Sequence, residues 1–328
     1  MHQSMNMTGF SDDVDRFRDT ADLEDYLRKY GLDGVELMDF GGEMPPILRP
    51  EHVRGVHLPC QSCWMPLWTG DQAKLEAEFG NRETWKQVFG GDTREALVRS
   101  LGDSLETAAR WTPEYLVLHI SECSMADSMR GTHSYSDEAV IDAAVELVNA
   151  AAHHIHGTPW LLFENLWYDG LTMERPEIVE RLLSGIHYPK TGIMLDVGHL
   201  MHTNPALRTA DEAVDYFHAV LDRFRDLTPI RGIHLHQTLS GEFCQKLHET
   251  WEPAEGDYYR RMESILSDIF QIDAHRPFLS PRIGEILHRI RPDYLTLELI
   301  SRDREEHEKR LLCQRQVLIK AGIPPAKL

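Results

Sequence analysis

Residues 193–199 read IMLDVGH: an apolar run ends in a carboxylate, Asp196, and His199 follows three positions later. A charge closing such a run is expensive to bury unless it is paired or bound to a cation, because desolvation disfavours the ionised form. The same construction recurs along the chain. GVHLP (55–59) ends in His57, LVLHIS (116–121) in His119, LLFENL (161–166) in Glu164, IRGIHLH (230–236) in His234 and LTLELI (295–300) in Glu298. Each run is short, β-rich and followed by an amphipathic stretch, the alternation that builds a parallel sheet from βα units. The full series is His2–Thr8, Gly34–Met38, Val53–Leu58, Tyr115–Ile120, Trp160–Glu164, Gly192–Asp196, Gly232–His236 and Tyr294–Leu299. These eight runs predict an α/β fold, the (β/α)8 TIM barrel, whose strand ends converge on one axis.

Helical patterns lie between the strands at Leu23–Tyr30, Thr93–Arg110, Asp137–His154, Ala210–Leu227, Tyr258–Phe270 and Asp303–Ala321, with Gly102 interrupting one of them. One barrel accounts for all 328 residues, with long connections at 59–92 and 238–280 that leave the C-terminal ends of strands. Barrels keep their active sites on that face, and connections of this length are usually functional. They carry Trp64, Trp68, Trp85 and Trp251, and Trp167 and Tyr168 follow the fifth strand. These rings either pack the loops or wall a pocket.

A composition of 42% hydrophobic and 27% charged residues is that of a soluble globular chain rather than a disordered or membrane one. Residues 1–10 hold neither a basic region nor an apolar run, so a cytoplasmic location without membrane contact is expected. The formal charge of -19 repels a polyanion, and no Lys/Arg cluster forms a basic groove, which makes extended nucleic-acid binding unlikely. The five cysteines are odd in number and scattered, which argues against a disulfide framework; Cys60 and Cys63 form a single CxxC.

The donor types set the chemistry. His57, His119, His199, His234 and His275 with Glu164, Asp196, Asp273 and Glu298 suit zinc, manganese or iron rather than calcium or magnesium. They are too many for one ion, and a bridging carboxylate would let them serve two or three ions about 3.5–4 Å apart. Three divalent ions would outweigh the four carboxylates and favour a small anionic substrate. His236 shares the strand side of His234 and reads as a supporting group or substrate contact, as do Trp167 and Arg276. His202 and His248 are further loop candidates. Glu36 and Asp39 end the second strand as pocket residues, whereas His153, His154 and His156 close a helix on the opposite face, where the helix C-terminus favours them.

These motifs resemble the xylose isomerase-like TIM barrels, the superfamily that includes endonuclease IV and many sugar isomerases and epimerases, along almost the whole chain. Glu164, Asp196, His234 and Glu298 match the isomerase core of Glu, Asp, His and Glu. His57, His119, His199, Asp273 and His275 match the additional ligands by which endonuclease IV holds three zinc ions. The resemblance implies one metal on His57, His119 and Glu164, a second on Glu164, Asp196, His234 and Glu298, and a third on His199, Asp273 and His275. Asp273 and His275 lie farther beyond His234 than in endonuclease IV, which implies an insertion. Endonuclease IV follows its third-strand histidine with residues that wedge into DNA. Here Leu58, Pro59, Cys60 and Gln61 follow His57, which disfavours repair of abasic DNA.

Two enzymatic readings and a non-catalytic one follow. A phosphodiesterase acting on a non-DNA substrate, such as the nucleotide loop of a cobamide, uses the whole set. A sugar or sugar-phosphate isomerase or epimerase uses Glu164 and Glu298 as proton-transfer residues and leaves the extra histidines without a shared purpose. A ligand-binding barrel leaves an open site unexplained. Fold alone decides none of these.

Overall fold

In the computed structural model, which describes residues 1–59 and 61–326, parallel strands close into a barrel. They are β1 (His2–Thr8), β2 (Gly34–Met38), β3 (Val53–His57), β4 (Tyr115–His119), β5 (Trp160–Glu164), β6 (Thr191–Asp196), β7 (Ile230–Leu235) and β8 (Tyr294–Leu297). Each pairs with the next, and β8 closes on β1. Leu58, Ile120, His236, Glu298 and Leu299, expected within strands, lie just past the strand ends. The register pairs His119 with Glu164 and Asp196 with His234, so donors on neighbouring strands sit at one height.

Strand alternation sorts the side chains into two cores. Outward residues such as Leu116, Phe163, Ile193, Leu195, Ile233 and Leu297 join the large cluster that includes the surrounding helices. Inward residues Tyr115, Val117, Leu162, Met194 and Tyr294 pack separately along the barrel axis. Gly55 and Gly232 make room for two of them: a Cβ would lie 2.2 Å from the Tyr115 ring and 2.5 Å from the Met194 sulfur. Above this apolar plug the inward positions are His57, His119, Glu164, Asp196 and His234. The same alternation that fills the barrel therefore places polar donors at its mouth.

Several local expectations change. Gly102 does not break its helix, which runs from Arg94 to Ala109. It faces His154, whose ring would lie 2.7 Å from an added Cβ. The long connections are themselves helical, at Met65–Thr69, Gln72–Phe79 and Arg82–Phe89 and at Gly241–Thr250 and Tyr258–Ile272. Trp64, Trp68 and Trp85 are buried within the first; Trp68 and Trp85 pack the loop, and Trp64 also lines a small cavity beside His119. Trp251 is half-buried, with the Arg130 guanidinium 5.2 Å from its ring centroid. His154 pairs with Glu106 at 2.6 Å, a local ion pair rather than a helix-end contact alone. Cys63 is buried and free, while Cys60, its CxxC partner, lies outside the described residues. Among the described residues no helix is long and apolar enough to cross a membrane.

Asp39, expected to be a pocket residue, lines a cavity with Phe40, Phe89 and Arg99 that holds none of the candidate metal donors, and it also acts as a lock. Arg110 donates to its two oxygens at 2.7 and 2.9 Å, and Trp111 Nε1 donates at 2.6 Å. Removing one partner of a buried, hydrogen-bonded charge pair typically costs about 3–5 kcal/mol, because the other charge stays behind. Arg110 is partly exposed, so Asp39→Ala should fall at the lower end of that range, read as a lower urea midpoint of unfolding. An unchanged midpoint would show that Asp39 is not a structural anchor.

Candidate metal centre

Glu164 is fully buried at the end of β5, and its two oxygens look in different directions. Oε2 lies 3.0 Å from His57 Nε2 and 3.2 Å from His119 Nε2. Oε1 lies 3.2 Å from both His234 Nδ1 and His199 Nδ1. His57 Nδ1 donates to the Leu58 carbonyl at 3.0 Å, and its Nε2 faces Glu164. The donor atoms of His57, His119 and Glu164 all lie within 4.8 Å of one another.

On the other side of Glu164, the donor atoms of Glu164, Asp196, His234 and Glu298 meet the same limit of 4.8 Å. His234 Nδ1 faces Glu164 and Glu298 at 3.2 Å each and Asp196 at 3.7 Å. Its orientation comes from Glu36, which accepts from His234 Nε2 at 2.9 Å and also receives the hydroxyls of Tyr115 and Thr296. Glu36 thus has a role that its sequence position alone does not reveal. The signal available was a carboxylate inside an apolar strand, GVELM.

The third group gathers around Asp273, which the 238–280 connection brings back to the barrel. Its Oδ2 lies 2.7 Å from His275 Nε2 and 3.2 Å from His199 Nε2. The insertion before Asp273 therefore does not carry the pair away from the site. His236 joins this group as well, since its donor atom lies within 4.8 Å of those of His199, Asp273 and His275. That corrects its expected place among substrate contacts: it is fully buried behind the centre. Arg276 is a second correction. Arg276 is exposed and forms an isolated bridge with Gln237, whereas His275, whose backbone turns through the left-handed region (φ 42°), is buried.

Trp167 stays beside the centre, its ring centroid 4.0 Å from that of His202 and 5.3 Å from that of His199. With His202, His248, Thr238 and Arg175 it lines a cleft of about 860 Å³ next to the third group.

Burial alone would raise every carboxyl pKa here and lower every imidazole pKa, but mutual attraction prevails. His119 and His234 hold Glu164 well below the usual carboxylate range, His275 and His199 do so for Asp273, and His234 and His275 for Glu298. Against the opposing effect of burial, the carboxylates raise His199 and His234 well above the ordinary imidazole value. Asp273 and Glu298 likewise raise His275 to about 9. Glu164 Oε1, His234 Nδ1, His275 Nδ1 and Glu298 Oε2 are buried without hydrogen-bond partners. Buried donors that converge and lack partners call for cations, so the residues fit divalent ions.

No family model matches the chain, and no curated protein matches it. Solved structures share its fold. Endonuclease IV from Thermus thermophilus aligns over 98% of this chain and 100% of its own at 19% identity, with a TM-score of 0.54. A putative xylose isomerase from Rhodospirillum rubrum covers 100% of both chains at 14% identity and a TM-score of 0.52. A D-tagatose 3-epimerase-like protein covers 98% of both at 14% identity and a TM-score of 0.51. These likenesses show a shared fold, the closed parallel β/α barrel.

Two outcomes test the centre. Carboxylates that orient ligating histidines typically contribute 10–100-fold to metal affinity. Glu36→Ala should weaken binding at the group containing His234 by about that factor in chelator competition, and unchanged affinity would remove Glu36 from the site. Metal ions bind only deprotonated imidazole. Because the carboxylates raise His275 to about 9, and raise His199 and His234 as well, protons compete with the ions for these nitrogens. Loading at pH 7 should therefore release protons, and affinity should climb as pH rises toward about 9, the value for His275. Calorimetry in buffers of different ionisation enthalpy reads this directly; a heat independent of buffer would contradict it.

Proposed function

We propose that the chain is a metal-dependent hydrolase that cleaves a phosphodiester in a small, anionic, non-DNA substrate. The observation that carries this reading is the division of Glu164, one oxygen toward His57 and His119 and the other toward His234 and His199. A carboxylate placed this way could serve two cations, one held with His57 and His119 and one with Asp196, His234 and Glu298, and zinc, manganese and iron suit the mixed imidazole and carboxylate donors. When bound, such ions supply an activated water and positive charge at the leaving oxygen.

The chain's own residues do the rest. Glu164, Asp196 and Glu298 fix the spacing of the cations, with Glu298 the most exposed of the three at 9%. His199, Asp273 and His275 add a third positive position beside the cleft. Trp167, with His202 and His248 nearby, offers the cleft wall against which the rest of the substrate lies. The protein's charge of -19 favours a small substrate over a polyanion. A cobamide would be one bulky phosphodiester for such a cleft.

A sugar or sugar-phosphate isomerase or epimerase is the second reading, favoured by the closed group of Glu164, Asp196, His234 and Glu298, which needs no third ion. It assigns Glu164 and Glu298 to proton exchange. Each Glu164 oxygen, however, already faces two imidazoles, which leaves little room for it to reach a substrate carbon.

His275→Ala separates the two. A hydrolase that uses the third position should lose about 10²-fold or more in rate, the usual effect of removing one preorganised electrostatic contribution. An isomerase confined to the other group should keep most of its activity. The assay offers small phosphodiesters, cobamides, an abasic duplex and keto sugars, with zinc, manganese or iron supplied separately. Ketose isomerisation or epimerisation that survives His275→Ala would sink the hydrolase reading.

A further inference from the structure

The motif DVGH places a glycine, Gly198, between Asp196 and His199, and the structure gives that glycine a reason. A Cβ on Gly198 would lie 2.0 Å from His236 Cε1, so only glycine leaves room for the His236 ring. The ring is fully buried and faces two acidic groups at once. His236 Nε2 lies 3.0 Å from Asp196 Oδ2. A carboxylate only accepts, so Nε2 carries the proton and Nδ1 the lone pair. Nδ1 points toward the third group, 4.0 Å from Asp273 Oδ1 and 3.5 Å from the Thr238 hydroxyl. That hydroxyl has a single hydrogen, and its nearer acceptor is Asp273 Oδ1 at 3.0 Å. His236 Nδ1 is left with one long contact, 3.5 Å to that hydroxyl, and faces the third group.

From this we infer that His236 is a fourth ligand of the third metal position, completing a shell of His199, His236, Asp273 and His275; the inference rests on reading the cluster as a three-ion centre. Four protein donors close a zinc site, whereas a catalytic position ordinarily keeps one place open. The third ion is then a permanently held charge beside the reacting position. His236 also ties that ion to Asp196 of the neighbouring group through its other nitrogen. In the present arrangement the His236 and His275 rings stack at 3.8 Å and 5°, so loading must tilt one of them to aim both lone pairs at one ion.

Cobalt(II) titration of metal-free protein, followed by visible absorption, tests this without substrate. Four-coordinate cobalt absorbs far more strongly than five- or six-coordinate cobalt. The band abolished by His275→Ala belongs to the third position. That band should be intense in the unaltered protein and should weaken or vanish in His236→Gln. Gly198→Ala, which keeps the imidazole but displaces it, should have the same effect. A weak third-position band in the unaltered protein overturns the inference even if neither variant folds, and so does an intense band that persists in folded His236→Gln. Should phosphodiester cleavage fail while the band behaves as stated, the hydrolase reading falls and the ligand assignment stands.

Discussion

The arrangement depends on one buried carboxylate. Glu164 sits at the end of a strand with no solvent exposure, and four imidazoles face its two oxygens. An ionised carboxylate there is tolerable only because positive charge surrounds it, whether protons on the histidines or cations between them. Opposite it, the fully buried Asp196 and His234 repeat the pattern, so the mouth of the barrel is a lattice of alternating charges rather than a set of independent residues. Each group is stable in its place because the next one is present.

The histidines are aimed by what lies behind them. The Leu58 carbonyl takes the outer proton of His57, the Asn165 carbonyl that of His199, Glu36 that of His234 and Asp196 that of His236. In every case the other nitrogen points into the centre, so these contacts fix the orientation of each ring. Below them, Tyr115 and Thr296 hold Glu36, and Gly55 makes space for Tyr115. The apolar plug of the barrel and its polar mouth are therefore one continuous construction, and a change in the plug is felt at the centre.

The barrel and most of the centre were legible in the chain itself. Runs such as IMLD and LTLEL are short, apolar and carry a charge at or near their C-terminal end, and that local pattern marks both the strand and the position of Asp196 and Glu298 at its end. Once the strands close, the direction of each side chain follows from its parity. The helices were legible for the same reason, although Gly102 misled because its close approach to His154 is a contact between distant elements.

What only the tertiary structure decided were relations between residues far apart in the chain. Glu36 became the support of His234, Asp39 turned away to Arg110 and Trp111, and His236 moved from the substrate contacts to the third group. Arg276 lies exposed while its neighbour His275 is buried, a division made by a left-handed residue and an isolated bridge to Gln237 that lie outside every strand readable from a periodic pattern. Parity along a strand is a property of neighbouring residues, so sequence determines it. Which buried nitrogen meets which carboxylate depends on the closure and register of the whole barrel, and only the folded chain specifies those.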